Sequence, residues 1–193
     1  MTHGLATNPP AATTQIALNA VLADASSTQV ATFGSGCFWG TEHIFIKHYK
    51  SRGITTHVGY TGGNTSDHAY SLVCTGRTGH AEACRIEFDP SKVTYAELVE
   101  FFYRTHDPTT LNSQGADRGT QYRSAIFYSS PEQKEIAENV TSEVQEKYFT
   151  PKGKSIVTQI VEAGKWWDAE DYHQEYLFKN PDGYQCPTHR LHW

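Results

Sequence analysis

Beyond Thr28 the apolar residues switch repeatedly between a two-residue and a four-residue spacing. Side chains alternate along a strand and recur every three to four residues along a helix, so the order of the switches admits few folds. Residues 30–33 read as a short strand, Gly34-Ser35-Gly36 as a turn, and residues 39–50 as a helix carrying Ile44, Phe45 and Tyr49. Ile54, Thr56, Val58 and Tyr60 alternate as a strand does, and the Gly62-Gly63-Asn64 break opens a long loop to Gly79. Glu82, Cys84, Ile86 and Phe88 share one face of the next strand, with Arg85 and Glu87 on the other. Thr94 and Glu97 form a capping box ahead of a helix buried through Leu98, Phe101 and Phe102. Residues 122–128 make a further strand. Ser130-Pro131 then starts a helix on which Ile136, Val140, Val144 and Tyr148 recur, and residues 156–161 make a last strand. Asp168 is expected to cap a helix running to residue 178, with Pro/Gly-punctuated coil from Asn180. The order is β-α-β-β-α-β with a strand and helices appended, which predicts an α+β, two-layer, ferredoxin-like (split βαβ) plait.

A chain of 193 residues suits one core with extensions. Residues 1–27 are rich in Ala, Thr, Asn and Pro, with few large apolar groups, and are expected to form a loosely ordered arm. Residues 28–193 then make a single domain ending in a coiled tail, 180–193. Lys and Arg number 16 against 21 Asp and Glu, for a net charge of -5. No basic run supplies the phosphate-neutralising footprint of a nucleic-acid binder. No apolar stretch approaches the roughly 20 residues that cross a bilayer, so no membrane is expected either. The first basic residue is Lys47, so the N-terminus carries neither the charged region of a secretory signal nor the arginines of a transit peptide, and the expected location is cytoplasmic. Four cysteines, Cys37, Cys74, Cys84 and Cys186, are too sparse for a disulfide scaffold. In a reducing compartment such residues are buried, catalytic or metal-binding.

A cysteine is a useful nucleophile as thiolate, and a helix N-terminus, with its unpaired N–H groups, lowers a thiol pKa without a metal. Cys37 sits at such a strand-to-helix corner. Gly36 and Gly40 let the backbone turn sharply around it, and Phe38 and Trp39 put two large apolar surfaces beside the sulfur. Read alone, it is also compatible with a small buried hydrophobe. Glu82 falls by strand parity on the apolar face, where a carboxyl is either paired or protonated. It is then either a proton donor near neutral pH or the partner of an arginine such as Arg123. Cys186 lies in a tail expected to be mobile enough to reach a site, react and swing away. Cys84 faces the core, and Cys74 takes no role. Ten histidines and the Cys186-Pro187-Thr188-His189 spacing invite a metal reading. No Cys-x-x-Cys or His-Glu-x-x-His pattern accompanies them, so no metal is expected.

Gly36-Cys37-Phe38-Trp39-Gly40 resembles the signature of the A-type peptide-methionine sulfoxide reductases, which act on the S epimer of the sulfoxide. The likeness continues through Gly59-Tyr60-Thr61-Gly62-Gly63, Thr78-Gly79-His80-Ala81-Glu82-Ala83, His106-Asp107-Pro108-Thr109 and Gly119-Thr120-Gln121-Tyr122-Arg123-Ser124. It ends with Asp171-Tyr172-His173-Gln174 and Gly183-Tyr184-Gln185-Cys186-Pro187-Thr188-His189. The resemblance implies that Cys37 is the nucleophile, Glu82 the acid that protonates the sulfoxide oxygen, and Tyr70 and Tyr122 hydroxyl donors to that oxygen. Phe38 and Trp39 would hold the substrate methyl group, Asp117 would shape the site and the recycling step, and Cys186 would be the resolving cysteine. Attack would leave Cys37 as sulfenic acid, which Cys186 would condense to a disulfide for thioredoxin or another dithiol to reopen. No cofactor is implied, and the chain is expected to act as a monomer on free or protein-bound methionine sulfoxide. Relatives with a second resolving cysteine past this point are not matched here. A thiol peroxidase using the same Cys37 is the competing expectation, disfavoured because a peroxide needs no aromatic methyl pocket.

Overall fold

The computed structural model of the chain describes Ile16, residues 27–66 and residues 68–193. The arm expected over 1–27 therefore lies outside the described residues apart from Ile16 and Ser27. From Gln29 the chain forms β1 (Gln29–Ser35), α1 (Phe38–Tyr49), β2 (Thr55–Thr61), the short α2 (Tyr70–Val73) and β3 (Ala81–Phe88). There follow α3 (Tyr95–Arg104), the small strands β4 (Ser113–Gln114) and β5 (Asp117–Arg118), β6 (Ser124–Tyr128) and α4 (Pro131–Val144). The last elements are β7 (Gln159–Glu162), β8 (Trp167–Asp168) and α5 (Tyr176–Lys179).

The main sheet runs β7-β6-β1-β3-β2-β8, and its inner four strands are antiparallel throughout. The α+β plait read from the element order is thus the fold found, extended by β7 parallel to β6 and by β8 on the far edge. Phe33, Cys84, Ile86 and Ile126 point to one face, where apolar residues of α1, α3 and α4 close over them in one buried cluster. Burying that stripe, at about 25 cal/mol per Å² of apolar surface, is the main drive for the layer arrangement. The helix starts follow their capping chemistry. Thr94 Oγ1 accepts from Glu97 N at 3.1 Å, and Ser130 Oγ accepts from Gln133 N at 3.1 Å ahead of Pro131. The capping box is only half formed, because the Glu97 carboxylate turns to Arg52 instead.

Three expectations are corrected. Asp168 does not cap a helix to residue 178; it belongs to β8, which pairs with Gly59 and Tyr60 of β2. The segment behind it folds as a 3-10 turn, Asp171–His173, and the one-turn α5, broken by Glu175 at φ 52°. Side chains explain this: Gln174 bonds both the N–H and the carbonyl of Val58, which holds the segment against the β2 strand. The strand expected over 122–128 starts at Ser124, since Thr120–Tyr122 is a 3-10 turn. The strand expected over 156–161 is the shorter β7.

The tail from Asn180 has no helix or strand, as expected, but it is pinned. His189 Nε2 donates to the Ser35 carbonyl at 2.7 Å, and His192 N donates to the Arg104 carbonyl at 2.9 Å. The Arg104 guanidinium also holds the Trp193 carbonyl, and the Trp193 ring stacks on Tyr148 with centroids 4.0 Å apart. The expectation of a tail free to swing is therefore corrected: Cys186, 1% exposed, lies in a loop whose far end is pinned to the fold.

Candidate active site

Cys37 caps α1, as the sequence indicates, between the end of β1 and the helix start. Gly36 is required there: its φ of 91° suits no side chain, and a Cβ would come within 2.6 Å of Gln114. Gly40 serves a different need from the sharp turn expected of it. It sits inside the helix, and a Cβ there would collide with the imidazole of His189.

The sulfur is not the exposed thiolate expected. Cys37 is 8% exposed. Burial first, then the charges of Glu82 and Asp117, hold its thiol well above the ordinary range, against the pull of the Trp39 and Gly40 backbone N–H groups. A helix N-terminus lowers a thiol pKa only where its field exceeds the cost of removing water from the anion, and here the desolvation is larger.

Glu82 is 2% exposed, at the helix-side end of β3, paired in register with Tyr60. Its Oε2 accepts from Phe38 N at 3.1 Å. The arginine pairing left open by the sequence is absent: Arg123 donates to the Thr120 carbonyl and to Gln159. Burial, and more weakly the charge on Asp117, pushes the Glu82 carboxyl up to about 8, over the opposing Phe38 N–H. The group therefore keeps its proton at neutral pH.

Tyr70 lies on α2 and Tyr122 on the 3-10 turn after β5. Both hydroxyls are half-buried and raised well above their ordinary range by burial first. Tyr122 then senses Glu82, Cys74, Asp117 and Cys37; Tyr70 is bonded to the Cys74 thiol and also senses Glu82. The structure thus gathers Cys37, Glu82, Tyr70, Tyr122 and Asp117 at one place, and puts Cys74, to which the sequence assigned no role, at its edge. Phe38 is 1% exposed and tilts against Tyr60 and His173, with centroids 5.8 and 5.1 Å apart. Trp39 is half-buried and stacks on Tyr176 at 3.8 Å. Asp117 is half-buried, raised by burial, and accepts from the Tyr184 hydroxyl at 3.0 Å.

Cys186 reaches the same neighbourhood from the tail. Its Sγ lies 3.7 Å from the Gln114 carbonyl and 3.1 Å from Thr188 Oγ1, and it packs over Gly115. Gln114 in turn packs on Gly36, the residue before Cys37, so it borders both cysteine segments. All four cysteines are free thiols, and Cys84, 0% exposed, is core as expected. Sequence reasoning gave no individual role to Gln114, Glu170 or His173; the available signal was Trp39, whose indole N–H needs an acceptor wherever it is buried. Among the described residues no three His, Cys, Asp or Glu side chains are grouped to hold a metal ion, and no helix is long and apolar enough to cross a membrane.

The family model described as peptide methionine sulfoxide reductase matches residues 29–191. The chain is 54% identical over 167 residues to the probable peptide methionine sulfoxide reductase of Schizosaccharomyces pombe, covering 86% of this chain and 97% of that protein. It is 48% identical over 157 residues to the peptide methionine sulfoxide reductase MsrA of Methanothermobacter thermautotrophicus, covering 81% and 90%. Among solved structures, Mxr1 of Saccharomyces cerevisiae in reduced form matches with a TM-score of 0.80 at 43% identity, over 87% of this chain and 94% of that one. The same yeast protein in complex with Trx2 matches with a TM-score of 0.58 at 29% identity, over 90% and 96%. Plait, thiol and these likenesses together define a cysteine-bearing oxidoreductase. The chain belongs to the peptide methionine sulfoxide reductase family, in its A-type branch, and its activity is the reduction of methionine sulfoxide.

Proposed function

We propose that the protein reduces the S epimer of methionine sulfoxide, free or in proteins, with Cys37 as nucleophile and Glu82 as proton donor. The observation that carries this reading is the Glu82 carboxyl, buried next to the capping cysteine and bonded to Phe38 N, where burial raises its pKa to about 8. In the resting site both groups are neutral, so the chemistry begins when the sulfoxide oxygen meets the Glu82 proton and the Tyr70 and Tyr122 hydroxyls. Hydrogen bonding there makes the substrate sulfur electrophilic and favours the Cys37 anion opposite it. As the Cys37 sulfur bonds to the substrate sulfur, Glu82 gives its proton to the sulfoxide oxygen and takes the proton that leaves the Cys37 thiol. The hydroxyl then passes to Cys37 as the sulfur–sulfur bond breaks with its electron pair left on the substrate sulfur, giving sulfenic acid and free thioether with Glu82 protonated as before. Overall, thiol plus sulfoxide gives sulfenic acid plus thioether. Phe38 and Trp39 form the wall for the methyl group. With oxygen, methyl and attacking sulfur each assigned a direction, one epimer presents its sulfur correctly and its mirror image does not.

The sulfenic acid then condenses with the Cys186 thiol, releasing water and leaving a Cys37–Cys186 disulfide that an external dithiol reduces. Thioredoxin is the reductant we assign, supported by the likeness to the yeast protein seen with Trx2. Cys186 is buried in the resting state, so this step requires the 180–188 loop to shift while the pinned end holds.

Turnover of separate S and R epimers with a dithiol present tests the first half. Activity on S and none on R is expected; equal rates would overturn the assignment of directions. For the second half, Cys186→Ser with thioredoxin as sole reductant should make about one product per enzyme and stop. Sustained cycling would remove Cys186 from the mechanism.

A further inference from the structure

We propose that His173 is the positioning residue of the sulfoxide pocket: its imidazole, bonded to the Trp39 indole beside the Glu170 carboxylate, fixes the wall against which the substrate methyl group packs. The proposal rests on the reading above, in which Trp39 forms that wall.

His173 ends the 3-10 turn Asp171–His173 and is 1% exposed. Its ring is enclosed by Phe38, Trp39, Tyr70 and Tyr172, with centroids 5.1, 5.6, 4.6 and 4.1 Å away. Trp39 Nε1 and His173 Nδ1 are 2.9 Å apart. An indole N–H can only donate, so Nδ1 is the acceptor, and the ring is the neutral tautomer with its hydrogen on Nε2. That Nε2 has no hydrogen-bond partner and lies 3.8 Å from Glu170 Oε2. The Glu170 carboxylate is itself committed to the pocket: Oε1 accepts from Tyr70 N at 3.1 Å, and Oε2 from the Tyr60 hydroxyl at 2.8 Å. His173 thus holds the indole, while Glu170 beside it holds the backbone of α2 and the Tyr60 hydroxyl of β2.

A phenyl ring would fill this space without burying an unbonded N–H, so packing alone does not account for a histidine here. What the imidazole adds is one directional bond. Trp39 stacks nearly flat on Tyr176, at 13° between planes. Stacking fixes the height of the indole but lets it slide in its plane, and the bond to Nδ1 removes that freedom.

Protonation would turn Nδ1 into a second donor facing the indole N–H and break the contact. The titratable groups against the ring are the Glu170 carboxylate and the Tyr70 and Tyr172 side chains, of which only Glu170 is charged near neutral pH. Burial keeps His173 below its ordinary range, with Glu170 opposing. The contact therefore persists at neutral pH and fails on the acid side.

The test uses the full chain with a methyl and an ethyl sulfoxide substrate and a small dithiol, comparing wild type, His173→Phe and His173→Asn. Asn can place Oδ1 where Nδ1 lies. His173→Phe should raise KM about ten-fold for the methyl substrate, change kcat by less than about three-fold, and narrow the preference for methyl over ethyl. His173→Asn should recover most of the KM and of the preference, and neither variant should show the acid rise in KM of wild type. Wild-type KM and selectivity in His173→Phe, or Asn as impaired as Phe, would overturn the proposal. A readout independent of activity separates it from the reading it rests on. The Trp39 indole N–H, assigned through Trp39→Phe, should exchange slowly in wild type and His173→Asn and fast in His173→Phe. If wild type turned over neither sulfoxide, the functional reading would fall while this exchange result still decided the anchoring.

Discussion

Cys37 and Glu82 are held uncharged by the same dehydration, and this sets the pH behaviour of the site. A carboxyl raised to about 8 is protonated below that value and lost as an acid above it. kcat/KM is therefore expected to fall as pH rises through about 8. Glu82→Gln should lose roughly 100- to 10,000-fold of turnover while keeping its fold. Pre-steady-state product formation across pH 6 to 10 checks both, and wild-type-like turnover in the variant would end the acid assignment. The same proton bears on stability. The fold refuses to ionise a group that the unfolded chain ionises near 4.5, so wild type loses stability relative to Glu82→Gln as pH climbs from about 5 to 8. Melting curves of the two proteins should diverge over that interval, with the variant the more stable.

At the scale of elements, α1 depends on what the tail lays against it. The His189 imidazole occupies the space a Cβ at residue 40 would need, and its Nε2–H grips the Ser35 carbonyl two residues before the cysteine. Gly40→Ala is expected to expel this ring, cost ~1–3 kcal/mol in denaturant unfolding, and speed alkylation of Cys186 as its loop loosens. An unchanged alkylation rate would mean that the loop is held elsewhere. The plait itself was legible because each core element carries a strong local pattern, from the alternation of Ile54, Thr56, Val58 and Tyr60 to the Ser130-Pro131 start of α4. Parity also put Glu82 on the buried face, as found. The segment after Asp168 was misread because its shape is set at long range, by Gln174 on Val58 and Glu170 on Tyr60 and Tyr70, contacts that no local spacing encodes. The exposure expected at Cys37 failed for a related reason: the helix start is visible in sequence, whereas the depth to which other segments bury it is not.

Across the whole molecule, two further buried groups set the response to acid. His106 bridges the Phe102 carbonyl and Ser124 Oγ, and burial lowers it to about 3; His189 is lowered to about 4, also chiefly by burial. Both stay neutral in the fold, while in the unfolded chain they take protons below about 6.5. As pH falls from there the unfolded state binds protons the native state refuses, so stability drops until the folded pKa values are reached. Each refused proton contributes a slope of about 1.4 kcal/mol per pH unit. The unfolding midpoint should fall steeply between pH 6 and pH 4, and His189→Asn should lessen the slope. A flat profile there would mean that neither imidazole is neutral in the fold.

The shelter given to Cys37 has a consequence for the conditions in which such an enzyme works. Peroxides and alkylating agents attack sulfur as the anion, and a buried sulfur whose pKa is raised gives them little to react with. In the proposed mechanism the arriving sulfoxide is what arms the thiol, so the resting enzyme is expected to react slowly with the oxidants that create its substrates.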